Sequence, residues 1–526
     1  MFLKKDKLYK EAPILLGILI YAYLINWNSG NIGIMPIDSF GFLDTGYSII
    51  NGHLPIRDFW IFTGLIVDYM EAAFLYMFGN NWNSHLIHAC FMNILASLSI
   101  YFFFNKLQLN KKYSLFYTLS FATLCYPVSG TPFAYLHAYI FSLIAVLTLI
   151  LGILTKKNNY WFLLPIICFF SFLSMQTPSA YIIILIFFFS VNHFIKKKNI
   201  ENLKFFLLSS LLCIIVFFLY LALTNTPILN FIYQYILFPL TIGEGRVSSS
   251  EFAYVSLLDQ LNFKRIFGDF KFVHFFLIPL VLILLINWKK NIKSYKTLNI
   301  LIILSTILFV FNQLLTANQI YIFSLIPLLA ATLHLNILKL KISPKFIFII
   351  FFIVLFATIK FHVRYNIDRK FHDLEGVDKK KAIPAKIIHK NLNDLMWLTK
   401  LVQKPDEEIK TIKKAIKVIN SDNRQKSLIT HYQFFSTILD KDLNIWNRWY
   451  LWDNNTHPTE SHKYFKVYKE MVNKNIKINN VKVIYLLGQK NEILFSDIKK
   501  YFTDVCFKST TLEEKKFSIH EIIDCK

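Results

Sequence analysis

A chain of 526 residues that is 55% hydrophobic and 17% aromatic, with a mean hydropathy of +0.44, has more apolar surface than a soluble core buries. That excludes an ordinary globular protein and makes lipid the solvent for most of it. The formal net charge of +24 comes from Lys and Arg in short clusters between apolar runs, a spacing that fits membrane topology and excludes nucleic acid as the partner.

The basic start, Met1 to Lys10, precedes an apolar run without a small-residue cleavage site, so it reads as a retained signal anchor. About eleven apolar runs are long enough to cross the hydrocarbon as helices, which satisfy their own backbone hydrogen bonds. They begin near Ala12, His85, Tyr113, Leu136, Tyr160, Ala180, Phe205, Phe272, Thr297, Gln319 and Lys345. Cys90, Cys125, Cys168 and Cys213 lie inside such runs and read as small buried hydrophobes. Clusters at Lys4–Lys10, Lys106–Lys112, Lys156–Lys157, Lys196–Lys204, Lys289–Lys296 and Lys339–Lys345 fall at alternate connections, which the positive-inside rule makes cytoplasmic. The outer connections are then Asn28–Ser84, Ser129–Tyr135, Met175–Ser179, Thr224–Asp269 and the turn around Ala317. Phe62–Phe78 is apolar enough to cross, but a crossing there would reverse every later loop. It is expected to lie on the outer surface or to re-enter, with Asp68 and Glu71 on its more polar side.

The predicted architecture is a mostly α, polytopic transmembrane bundle over residues 1–360, N-terminus inside, followed by a small extracytoplasmic α/β domain over residues 361–526. In that tail, Pro384–Val402 and Pro405–Ile419 repeat apolar residues at helical spacing, and Ser427–Thr430 and Val481–Leu487 have strand length, with a helix over His462–Val472 between them. Cys506 and Cys525 fall in two further strand-like pieces and are a disulfide candidate in an oxidising compartment. The tail has no phosphate-binding glycine fingerprint, so no nucleotide cofactor is indicated.

The first outer loop sets acids beside an apolar surface. Asp38 and Asp44 closely follow the first span, where a carboxylate could take the proton of an acceptor hydroxyl. Arg57 and Asp58 follow the turn formers Gly52 and Pro55. The guanidinium suits a phosphate oxygen, or the two side chains simply pair with each other. In the long outer loop after the seventh span, Glu244-Gly245-Arg246 offers a second arginine for a lipid phosphate, against a solvated loop arginine. His137 opens the fourth span beside Tyr135 and could donate to a phosphate or sugar, although a lone interfacial histidine is more often structural. His431, Tyr432, Arg448, Trp449, Asp453 and His457 form an aromatic and polar cluster suited to carbohydrate, and folding alone is the preferred explanation for them.

Asp38, then Gly52, Pro55, Arg57 and Asp58, then the Gly64–Gly79 helix ending in Phe78-Gly79, resemble the first outer loop of the GT-C membrane glycosyltransferases, the superfamily of the protein mannosyltransferases and the lipid A aminoarabinose transferases. The loop match covers about a tenth of the chain; the resemblance in architecture covers nearly all of it. It implies transfer of a sugar from a polyprenyl-phosphate donor to a lipid or saccharide acceptor at the outer face of a bacterial inner membrane, in cell-envelope polysaccharide or glycolipid assembly, with Asp38 as the general base. Members often carry an acid pair in the first loop and an Asp in the second outer loop, whereas here Ser39 follows Asp38 and Ser129–His137 has no acid. Asp44 then supplies the second carboxylate, or any divalent metal role is absent, or activity is lost. The competing functions are a transporter, flippase or polymerase of lipid-linked saccharides, and a non-catalytic membrane protein with an exported binding domain. The spans lack ionisable residues at their centres and show no repeated half, which weighs against ion-coupled transport.

Overall fold

The computed structural model describes residues 5–125, 129–197, 199–248, 257–286, 288, 293–316, 322–368, 370, 373–402, 404–488, 493–502 and 505–525. Most of these residues are helical. Among the described residues seven helices are long and apolar enough to cross a membrane: Glu11–Gly30, Trp82–Lys106, Ala134–Thr155, Gln176–Lys196, Ile200–Leu223, Tyr295–Leu315 and Lys345–Asp368. Asn158–Ser174, Lys271–Ile286 and Leu325–Lys339 are apolar but shorter, and Lys111–Leu124 is a helix of 14 residues. Ten of the predicted run starts fall inside these helices. The start near Gln319 and the turn around Ala317 lie outside the described residues, and the helix there begins at Leu325.

Asparagines set several of the helix starts. Asn81, Asn110 and Asn199 each accept a hydrogen bond from a backbone N–H in the first turn, meeting a donor the helix leaves orphaned. The bundle has an inside and an outside. Ala134–Thr155 is buried over most of its surface, whereas Ile200–Leu223 and Lys345–Phe361 expose Leu207, Leu211, Ile214, Phe348, Phe352 and Phe356, an apolar face wide enough to need lipid.

The tail forms a four-stranded sheet in which β3 (Lys426–Thr430) runs parallel to β4 (Val483–Leu487), β4 pairs antiparallel with β6 (Phe517–Ile523), and β6 with β5 (Cys506–Glu513). β3 and β4 are buried along their whole length; β4 is apolar throughout, as a strand covered on both faces should be, whereas β3 also buries Lys426, Ser427 and Thr430. Pro405–Ser421 and Phe465–Ile478 are the expected helices, and Cys506 and Cys525 are joined as a disulfide. Pro384–Val402 departs from expectation. It forms two residues each of β1 (Ile383–Pro384) and β2 (Met396–Trp397) with single 3-10 turns between, because its backbone bonds elsewhere: Gly33 and Ile34 donate to the Met396 and Leu398 carbonyls. Its apolar residues Ile388, Leu392, Leu395 and Leu398 are still buried.

The helix Leu65–Phe78 departs from expectation in its acids, which are not on an exposed polar side. Asp68 and Glu71 are fully buried, because Arg448 of the tail meets Asp68 and His85 and His88 meet Glu71, while Tyr76, Met77 and Phe78 at the end of the helix are exposed. The first loop and the tail share one hydrophobic core: Ile34, Phe40, Leu43, Tyr47 and Leu75 pack with Leu392, Trp397, Phe434, Leu428 and Tyr485.

Candidate functional site

Asp38 lies in a single helical turn, Pro36–Ser39, whose start is set by a proline with preorganised φ. The two carbonyls flanking it are held from opposite sides. Trp449 of the tail donates its indole N–H to the Ile37 carbonyl at 2.7 Å, and His85 of the bundle meets the Ser39 carbonyl through Nε2 at 2.9 Å. The Asp38 side chain is half-buried, and among the described residues its carboxylate accepts no hydrogen bond. Burial pushes that carboxyl up to about 6, and His431 beside it pulls the other way. The His431 ring is held by the Tyr450 carbonyl at 2.9 Å. An oriented, unpaired carboxylate that titrates near neutrality is what a general base requires.

Asp44 has a different place. Its oxygens accept from the backbone N–H of Ser436 (3.1 Å) and of Thr437 (2.9 Å) and from the Thr437 hydroxyl (2.8 Å), so it caps the tail helix Phe435–Leu439 across the loop–tail boundary. Arg57 and Asp58 pair with each other, Nε to Oδ1 at 2.9 Å and Nη2 to Oδ2 at 2.6 Å. The remaining Arg57 donors reach the Thr224 and Gly52 carbonyls. Asp58 also accepts from the Leu54 N–H, so the pair braces the turn. Arg246 donates to the Tyr135 hydroxyl at 3.3 Å, which links the long outer loop to the second one; Glu244 is exposed.

His137 belongs to a buried relay that its sequence position gave no sign of. From the Phe133 carbonyl the contacts run to His137 Nδ1 (2.9 Å), His137 Nε2 to His88 Nε2 (3.0 Å), His88 Nδ1 to Glu71 (2.8 Å), Glu71 to His85 Nδ1 (2.7 Å), and His85 Nε2 to the Ser39 carbonyl (2.9 Å). Glu71, His85, His88 and His137 are at most 1% exposed. Both ends are carbonyl oxygens, so both end nitrogens carry protons. Five contacts in series hold five protons, and three neutral imidazoles with one carboxylate supply three. The complete relay therefore carries two extra protons and a net charge of +1. With one proton fewer it is neutral, and one contact becomes lone pair against lone pair.

A second buried network fixes the tail on the loop. Arg448, 2% exposed, pairs with Asp68 and donates to the Thr63 carbonyl at 2.7 Å, with its guanidinium 4.1 Å from the Phe42 ring centroid. Asp68 also accepts from the Thr45 hydroxyl at 2.6 Å. Gly64 must be glycine here, since φ is +77° and a Cβ would come within 2.7 Å of Phe42 and 2.9 Å of Arg448. Tyr432 and His457 are likewise buried, and the sequence cluster at 431–457 packs the tail rather than forming an open sugar platform.

Two further ionisable groups come from the segment that follows the helix Lys345–Phe361, and one of them, Asp373, feels the charge of Asp38. Asp373 is 5% exposed and feels the charges of Asp38, Lys370 and Lys400. Lys370 is 2% exposed and donates to the Gly33 carbonyl. Sequence reasoning missed both because they sit in a polar stretch with no periodicity. Among the described residues no three His, Cys, Asp or Glu side chains converge as metal ligands. No family model matches the chain, and no curated protein is significantly similar to it.

Proposed function

We propose that this protein is a GT-C-like membrane glycosyltransferase that moves a sugar from a polyprenyl-phosphate donor to a lipid or saccharide hydroxyl at the outer face of a bacterial inner membrane. The observation that carries the reading is Asp38: a clamped turn presenting an unpaired, half-buried carboxylate where loop and tail meet. In the proposed step the acceptor oxygen attacks the anomeric carbon, its proton passes to Asp38, and the bond to the phosphate oxygen breaks with its electron pair leaving on the phosphate. Arg246 is the loop arginine for that developing charge, because Arg57 is committed to Asp58, Thr224 and Gly52. The arrangement supports Asp38 over Asp44 as the base, since the Asp44 oxygens are occupied by the helix they cap.

Eleven crossings, N-terminus inside, remain the proposed topology. Its parity has geometric support. In this topology the loop 28–84 follows one crossing and the tail follows all of them, and the core they share supports an odd number of crossings. Transfer of labelled sugar from polyprenyl-phosphate donors, by protein reconstituted in lipid, tests the reading. Wild type is expected to transfer and Asp38→Asn to fall at least about a thousandfold while melting at the same temperature. Equal transfer by the two would remove Asp38 from the scheme, and absence of transfer from every donor would favour the transport or binding alternatives.

The acidic limb of the pH profile follows from the titration of Asp38. The base works only when ionised, and its carboxyl sits at about 6, so kcat/KM should be flat above pH 7 and fall tenfold per pH unit below about 6. A limb near the ordinary aspartate value of about 4 would mean that the base is an exposed carboxylate elsewhere.

A further inference from the structure

The tail has a cleft that the scheme above does not use. Its buried cluster at 431–457 leaves one large ring, Trp452, only half-buried, and this ring lines a cleft of about 360 Å³ together with Phe465, at the start of the helix Phe465–Ile478, and with Lys500 and Tyr501. That volume falls in the range of small-molecule sites, roughly 300–1,000 Å³. Buried rings support the two that line it. The His457 ring stands perpendicular to Trp452 with centroids 4.8 Å apart, and Tyr501, 2% exposed, lies 6.1 Å from Trp452 and 5.3 Å from Phe465. This packing fixes Trp452 and Phe465 and leaves both partly exposed.

The polar lining is held as firmly. Asn454, in the left-handed region at φ +61°, accepts at Oδ1 from the Thr459 N–H and the Thr459 hydroxyl, each at 2.7 Å. The Thr456 hydroxyl accepts from the Leu451 N–H at 3.1 Å and donates to the Leu451 carbonyl at 3.2 Å, which closes the turn between them. Tyr501 donates its hydroxyl to the Pro458 carbonyl at 3.1 Å and ties this turn to the segment that carries Lys500. Thr459, Glu460, Ser461 and Asp497 complete the lining. Lys500 Nζ lies 3.1 Å from Glu460 and 3.5 Å from Asp497, so both carboxylates are positioned yet keep most of their capacity to accept hydrogen bonds. Two carboxylates against one ammonium make the cleft acidic, which repels phosphates, uronic acids and nucleic acid, while a cationic ligand would have to compete with Lys500. Partly exposed aromatic rings beside fixed acceptors suit a ligand with apolar C–H faces and hydroxyl edges.

We propose that this cleft binds an uncharged saccharide, with sugar rings against Trp452 and Phe465 and their hydroxyls donating to Glu460 and Asp497. The site shares no residue with the Asp38 turn, and the proposal does not rest on the glycosyltransferase reading. The probes are free maltotriose, mannotriose, cellotriose and triacetylchitotriose, with trigalacturonate as the acidic counterpart, each added to the full-length protein in lipid nanodiscs. Saturation-transfer NMR reads contact, and titration gives the dissociation constants. At least one neutral trisaccharide is expected to bind and trigalacturonate is not. Trp452→Ala should weaken that binding at least about tenfold at unchanged melting temperature. If Trp452→Ala fails to fold, Ser461→Trp is the second variant: position 461 is exposed, so the larger ring fills the cleft without removing a buried group, and it should block binding. Neutral trisaccharides that all ignore wild type, or that bind Ser461→Trp as tightly as wild type, would overturn the proposal, and so would a preference for trigalacturonate. Trisaccharide binding with no transfer from any polyprenyl-phosphate donor would refute the glycosyltransferase reading and leave this site standing; transfer without trisaccharide binding would do the reverse.

Discussion

Asp38 and Asp44 are the same side chain six positions apart, and what their oxygens touch separates them. Asp38 accepts nothing among the described residues, whereas Asp44 accepts three hydrogen bonds from Ser436 and Thr437. Asp44→Ala should cost about 1–3 kcal/mol, the range for a buried cap whose donors are left unmet, and should lower the yield of folded protein while leaving transfer per folded molecule nearly unchanged. Thermal melting set against specific activity distinguishes the two outcomes, and a loss of rate at full stability would return Asp44 to the catalytic scheme. The relay makes a sharper case. Glu71→Gln keeps an acceptor and a donor between the two imidazoles and can still hold five hydrogen bonds, so it should be tolerated. Glu71→Leu removes the bridge and should destabilise by about 3–5 kcal/mol, as other broken buried pairs do. Equal melting temperatures for these two variants would contradict the five-proton chain.

At the scale of elements, the tail holds the loop through buried chemistry. Arg448 reaches into the first loop to Asp68 and Thr63, and Trp449 reaches the Ile37 carbonyl. Arg448→Met should cost about 3–5 kcal/mol because it strands the Asp68 carboxylate in the core, and Arg448→Met/Asp68→Leu should recover much of that. A double variant no more stable than the single would argue against the pair. On the far side of the sheet, Cys506 and Cys525 lie 19 residues apart, a loop whose closure stabilises by roughly 3 kcal/mol. Reductant should therefore lower the melting temperature of wild type but not of Cys506→Ser/Cys525→Ser. The helices Pro405–Ser421 and Phe465–Ile478, the strands β3 and β4 and the cysteine pair were legible because each carries a local signal of period or spacing. Pro384–Val402 misled for a physical reason: its apolar spacing served burial against the first loop, and backbone pairing with Gly33 and Ile34 outcompeted the helix.

For the whole molecule, the run of apolar segments was readable because lipid imposes length and composition on anything that crosses it. The candidate site was readable only at its first residue. Asp38 stands in an acid-bearing loop that the sequence marks out, whereas His85, His88, Lys370 and Asp373 come from two other stretches of chain, and nothing local marks residues that meet only after folding. The same limitation explains Asp68 and Glu71, whose polarity suggested an exposed helix face until Arg448 and the two imidazoles supplied buried partners.

The core that mixes Phe40, Leu43 and Tyr47 with Trp397, Phe434 and Tyr485 also dictates an order of assembly. During synthesis the loop emerges hundreds of residues before the strands that cover it, so its apolar side chains must wait, uncovered, while the rest of the bundle is inserted. Folding of this face therefore cannot finish until the tail strands have been made, which leaves the loop's apolar side chains open to wrong partners in the meantime.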